Sequence, residues 1–308
     1  MIKTAMLTFL PGILLGLVGS CNFSVAFLGS RIFYEKSGQS PFNLLILSYI
    51  QMGIFSIVLL PFVWQNTLLS WQILPPLLGF AFFGMSGQLT FFLALRYAQS
   101  SQVTPLLALK ILIIAGGSVL ILQKNLSFLQ WLSVAICFTA ALALNFSGVA
   151  MPVRALLYVI VTCCAYTCAD ICVTLLIRRL ESLAVAHSAL LATCLAYGVS
   201  GIVGALLMIK IWQDLRLTRP WKYALYFSTP YFLADICIFA TFKLVGPVLA
   251  NILMSTRGIT SILLASIIAR KNMAYLEQPT TTAVTIRRLL AAALLTLAIA
   301  LYVIGEPA

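Results

Sequence analysis

Apolar residues run through this chain in blocks too long for the strands or surface helices of a water-soluble domain. Runs near or above the ~20 residues that carry a helix across a bilayer occupy 6–29, 41–64, 72–96, 102–123, 127–147, 152–177, 183–209, 221–243, 246–269 and 287–305. They lack the polar/apolar alternation and the short segments of a membrane barrel. They therefore predict ten membrane-spanning helices, five in each half. Connections are short, and the longest, 271–286, holds the Pro/Thr cluster Pro279-Thr280-Thr281-Thr282. No stretch is left over for a separate soluble domain.

The polar positions carry a second pattern. Arg31 and Arg178, Gln88 and Asp235, Arg96 and Lys243, Lys110 and Arg257, and the pairs Lys124-Asn125 and Lys271-Asn272 all stand 147 positions apart. A duplicated unit is expected, with one five-helix repeat over 1–148 and a second over 149–308. An odd number of crossings per unit sends the halves through the membrane in opposite senses, which gives an inverted repeat about a pseudo-two-fold axis in the membrane plane. The offset breaks after Lys271, where the second half gains extra residues before its last span. The expected fold class is an all-α integral membrane protein of ten transmembrane helices in two inverted repeats, forming one membrane domain.

Composition agrees with that class: 62% of residues are hydrophobic, 8% are charged and the mean hydropathy is +1.07, too little polar surface to coat a soluble globule. Trp64, Trp71, Trp131, Trp212 and Trp221 all fall near span ends, where an aromatic belt belongs. The net charge of +12 is spread over many short loops. It points to anionic lipid heads as the partner rather than to nucleic acid. Basic residues near helix ends count five on the side of the N-terminus (Lys3, Lys124, Arg178, Arg179, Lys243) against twelve on the other, which places both termini outside. The expected setting is multi-pass in a bacterial inner membrane, as a monomer or weak homodimer.

Several local features resolve toward packing. All eight cysteines lie inside spans, so no disulfide framework is expected, and Cys164, Cys168 and Cys172 form an i, i+4, i+8 stripe. Close helix approach accounts for that stripe better than a thiolate metal site, because the chain has a single histidine, His187, and no second cysteine cluster. No metal or cofactor is expected. Val18-Gly19-Ser20-Cys21 resembles a lipoprotein signal end, yet apolar sequence continues to Leu28 and Cys21 maps onto Cys168, so span 1 is kept as structure. Gly12 and Gly16 form a GxxxG pattern that serves packing within the bundle as readily as a dimer. There is no GxSxG, HExxH or phosphate-binding GxxxxGK[ST] motif, and an enzyme is not expected.

The chemistry lies in what the spans bury. Four ionisable residues fall mid-span: Lys110 on span 4, Asp170 on span 6, Asp235 on span 8 and Arg257 on span 9. Charges are costly in hydrocarbon and mark functional sites by default. Tyr166 and Tyr231 each precede an aspartate by four residues and share its helix face. In the first half, neutral amides stand at the matching places: Gln88 at the counterpart of Asp235, and Asn22 one residue from that of Asp170. Two readings follow. The four charges neutralise one another in two buried ion pairs, or they line a midplane cavity whose cations meet a carboxylate or phosphate while its aspartates meet an amine or onium group.

Ala94-Leu95-Arg96-Tyr97-Ala98, followed by Ser100 through Lys124-Asn125-Leu126-Ser127 and Gln130-Trp131, resembles the signature of the drug/metabolite transporter superfamily in its ten-helix EamA-like branch. Thr241-Phe242-Lys243-Leu244-Val245-Gly246 through Lys271-Asn272 is its second copy. The resemblance implies two inverted halves, a cavity lined chiefly by spans 1, 3, 4, 6, 8 and 9, and alternating access. The chain departs from many relatives in the turns after spans 4 and 9, where Gln123-Lys124-Asn125 and Arg270-Lys271-Asn272 replace Gly-Glu. Bases in both spans 4 and 9 are unusual for multidrug or aromatic exporters. The relatives often keep both termini in the cytoplasm, against the count of basic residues here.

The expected function is a secondary active transporter or exchanger of a small zwitterionic metabolite, with S-adenosylmethionine, possibly exchanged for S-adenosylhomocysteine, or a polar amino acid as substrate. The substrate-site residues are Lys110, Asp170, Asp235, Arg257, Tyr166, Tyr231, Gln88 and Asn22. Two alternatives stand beside it: an exporter of cationic drugs, and a structural or lipid-handling membrane protein that transports nothing.

Overall fold

Hydrocarbon offers the backbone no water, so each segment must satisfy its own hydrogen bonds. Among the described residues every regular element is helical. A computed structural model of the chain describes residues 2–64, 71–98, 103, 106–107, 109–145, 151–209, 218–257, 259–260 and 282–305. The helices are α1 (Ile2–Ser37), α2 (Pro41–Val63), α3 (Leu74–Tyr97, entered through a 3₁₀ turn Trp71–Ile73), α4 (Leu109–Leu120), α5 (Phe128–Asn145), α6 (Val153–Ser182), α7 (Ser188–Met208), α8 (Thr218–Ser255) and α9 (Thr282–Ile304). The turn Lys271-Asn272 and Trp212 lie outside the described residues.

Among the described residues, six helices are long and apolar enough to cross a membrane: Phe9–Ser37, Pro41–Val63, Trp71–Tyr97, Val153–Ser182, Ser188–Met208 and Pro220–Ser255. Leu109–Leu120, Phe128–Ala140 and Ala293–Ile304 are shorter apolar helices. The chain is a multi-pass integral membrane protein. Spans 8 and 9, expected as separate helices, are two helical stretches of α8 divided by a non-helical break at Gly246 (φ 79°, ψ 166°) followed by Pro247. The positive φ is tolerated by glycine, and the proline removes a helical donor. α1 and α6 outrun their expected ends, so Arg31 and Arg178 ride on helix rather than in a loop. α2 begins where Ser40 accepts from the Asn43 amide at 3.2 Å with Pro41 in the first helical position, the preferred chemistry for a helix start.

The main packing partners are α1 with α8, α3 with α6, α2 with α7, and α5 with α9. A shift of 147 residues carries α1 onto α6 and α3 onto α8, so the first two pairings exchange while the other two map onto themselves. Glycines permit the closest approaches. A Cβ on Gly53 would lie 2.9 Å from the Gly201 Cα where α2 crosses α7. One on Gly16 would strike Leu253, and one on Gly12 would strike Val245. The GxxxG face of α1 is thus spent inside the bundle, on α8. Cys172 packs in the same way over Gly79, whose Cβ would come within 2.7 Å of the sulfur.

Candidate substrate site

Both mid-membrane cations sit beside interruptions of their helices. Lys110 donates its backbone N–H to the Leu107 carbonyl three residues back, and Thr256, next to Arg257, does the same to Leu253. With the 147-residue offset, 107 answers to 254 and 110 to 257, so the two loosened turns fall one residue apart in the halves. Near Arg257 the backbone oxygens are met by hydroxyls from α1. Ser20 Oγ lies 3.4 Å from the Met254 carbonyl, and Ser24 Oγ donates to the Arg257 carbonyl at 3.0 Å. Side-chain hydroxyls on a neighbouring helix are what make a broken helix tolerable at this depth.

The two halves then diverge. Lys110 Nζ is 2.9 Å from Asp170 Oδ2, with side chains 3% and 13% exposed. The same oxygen accepts from Asn251 Nδ2 at 2.8 Å, so Lys110, Asp170 and Asn251 form a closed polar unit. The Lys110 ammonium also stands 5.5 Å from the Tyr166 ring centroid. Arg257, 4% exposed, has no carboxylate within ion-pairing distance among the described residues. Its Nε lacks a hydrogen-bond partner, and its guanidinium rests 5.9 and 5.7 Å from the ring centroids of Phe23 and Phe27. Asp235 accepts from the Tyr197 hydroxyl instead. One of the two expected ion pairs exists; the other cation and anion stay separate.

Lys110, Tyr166, Asp170, Tyr231, Asp235 and Arg257 all line one central cavity. Two sequence-expected residues do not. Gln88 is fully buried behind the wall, where its Oε1 accepts from the Tyr166 hydroxyl at 2.7 Å and its Nε2 is unpartnered. Asn22 donates to the Val18 carbonyl of its own helix at 3.0 Å. It is corrected to a position off the cavity, for a geometric reason: the counterpart of Asp170 is residue 23, and one residue turns a helical side chain by about 100°. Phe23 takes the cavity face.

The sequence argument missed Asn251 and Tyr197, although the signal that selected the charges, a polar group deep in an apolar run, applies to both. It also missed Tyr49 and Tyr197 as wall residues; they bring α2 and α7 to the cavity and stack at 6.0 Å. The remaining wall is largely aromatic. The cavity measures about 40 Å³, room for a few waters.

Fold and apolar helices define a multi-pass membrane protein, and the comparisons with known proteins say what it is similar to. Residues 10–146 match the model of the EamA-like transporter family, so the resemblance to the drug/metabolite transporter superfamily holds over the first half of the chain. Members of that family are transporters rather than enzymes. A solved structure titled "Crystal structure of protein" aligns with 94% of this chain and 97% of its own, at a TM-score of 0.67 and 17% identity; at that identity the likeness concerns the fold alone. No curated protein matches.

Proposed function

We propose that the chain is a secondary active transporter or exchanger of a small zwitterionic metabolite. Its ten crossings form two inverted repeats, 1–148 and 149–308, and alternate access to the central cavity. The observation that carries this reading is Arg257, a buried guanidinium with no anion beside it among the described residues. A substrate carboxylate completes it, as an amine or onium group completes Asp235, while Lys110 and Asp170 hold each other in register. S-adenosylmethionine has a carboxylate, an amine, a sulfonium and a ring for the aromatic wall, and is the first candidate; a polar amino acid is the second. Ligands of that larger size occupy pockets of about 300 Å³ or more, so loading requires the bundle to open.

Thermal stabilisation of the purified protein tests this, because a ligand bound only by the folded state raises apparent stability. S-adenosylmethionine, S-adenosylhomocysteine, amino acids, sugar phosphates and quaternary ammonium drugs form the panel, each repeated with Arg257→Gln. A zwitterion shift that vanishes in the variant is the expected result. A shift from lipophilic cations alone, kept in the variant, would make the chain a drug exporter; no shift from any soluble ligand would favour the structural role.

A further inference from the structure

α3 and α8 flank the cavity and are not among the main packing partners, yet two aromatic pairs bridge them. Phe80 on α3 meets Phe239 on α8 edge to face, with centroids 5.8 Å apart at 86°. Phe92 on α3 meets Phe227 on α8 at 5.0 Å and 72°. A shift of 147 turns 80 into 227 and 92 into 239, so each pair is the repeat image of the other. Within either helix the two rings are twelve residues apart, about 18 Å at 1.5 Å rise per residue, and Asp235 lies between those of α8.

We infer that these four phenylalanines form the two gates of the transport pathway, one pair for each side of the membrane. Each pair has a vestibule beyond it. Phe242, which stacks on Phe239 at 6.2 Å, lines both the central cavity and a pocket of about 150 Å³ whose rim carries the Lys243–Glu181 ion pair at 3.5 Å. On the other side Tyr34 sits edge-on to Phe92 at 6.4 Å and lines a pocket of about 420 Å³ together with Arg31 and Arg96. The two pockets occupy repeat-equivalent places, since Arg31, Leu95 and Arg96 answer to Arg178, Phe242 and Lys243.

The gates differ in depth. Phe80 and Phe239 line the cavity directly. Phe92 and Phe227 are fully buried, Phe92 beside Phe91, which itself packs on Phe27, and Phe227 against Tyr231. Apolar constrictions of this kind close a pathway by excluding water. With both pairs in contact each end of the cavity carries an apolar constriction; opening toward the Glu181 side parts one ring pair, whereas opening toward the Arg31 side must also repack the rings behind Phe92.

A cysteine placed at Gly84 reports on this. Gly84 lines the cavity, and a Cβ there meets nothing nearer than 3.6 Å. A charged, membrane-impermeant thiol reagent is applied to either face of sealed vesicles, and labelling is compared with the same chains lacking the Gly84→Cys change. Phe239→Ala should raise labelling from one face by roughly tenfold, as a shift of the gate toward its open form, and Phe227→Ala should raise it from the opposite face. Enhancement from the same face in both, or in neither while both variants keep wild-type elution and melting, would overturn the assignment. If the alanine variants fail to fold, Phe239→Leu and Phe227→Leu decide it by the same opposite sidedness. The labelling uses no substrate, so its outcome stands apart from the zwitterion assignment.

Discussion

Lys110 and Arg257 occupy corresponding positions in the two halves, yet replacing each with methionine should have opposite effects on the ligand-free protein. Lys110→Met strands the Asp170 carboxylate, 13% exposed, with only the Asn251 amide for company. Breaking a buried pair from one side costs about 3–5 kcal/mol. Arg257→Met instead removes a guanidinium that is 4% exposed and has no counterion among the described residues, relieving a desolvation penalty of several kcal/mol. It gives up two ring contacts at 5.9 and 5.7 Å, about 0.5–2 kcal/mol each. The balance is near zero or stabilising, so the two variants should differ by about 3 kcal/mol or more. Unfolding in mixed detergent and dodecyl sulfate micelles, without ligand, measures both. The double change Lys110→Met/Asp170→Leu should recover most of the loss, since it removes both charges of a coupled pair. Equal losses for Lys110→Met and Arg257→Met would refute the idea that Arg257 awaits an anion.

Three further outcomes are expected. Asp235→Asn keeps an oxygen to accept from Tyr197 and should fold normally. It should weaken binding of amine-bearing ligands by about 2 kcal/mol, roughly thirtyfold by equilibrium titration; unchanged binding would remove Asp235 from the site. Tyr166→Phe takes from Gln88 the one hydrogen bond that its side chain makes among the described residues, its Nε2 being already unpaired, and should cost about 1–3 kcal/mol of stability. Adding Gln88→Leu should return part of that cost, and a strictly additive double variant would contradict the coupling. Gly201→Ala places a Cβ 2.7 Å from the Gly53 Cα and should destabilise by about 1–3 kcal/mol, whereas Gly116→Ala and Gly198→Ala meet nothing within 4 Å and should gain about 0.5–1 kcal/mol in melting experiments.

Much of the site was legible because burying a charge in hydrocarbon is expensive enough to make it conspicuous. That signal picked out Lys110, Asp170, Asp235 and Arg257, all of which line the cavity. It failed at Asn22 because a one-residue offset, trivial in a string, is a third of a helical turn in space. It passed over Tyr197 and Asn251 because neutral polar groups stand out less against an apolar run, although they decide the partners of both aspartates. The bridging phenylalanine pairs carry no charge at all, and they are visible only as ring contacts between α3 and α8.

The length of the apolar runs, without alternation, pointed to a helical membrane protein, because backbone hydrogen bonding in lipid leaves a chain few choices. The 147-residue offset likewise determined which positions correspond. Neither could say that Lys110 would find a carboxylate while Arg257 would not. Sequence equivalence is a statement about a shared backbone position, whereas ion pairing depends on distances of a few ångströms between side chains from different helices. Only the packing of α4 and α6 with α8, and of α1 against Arg257, separated the cation that meets a carboxylate from the one that meets none among the described residues.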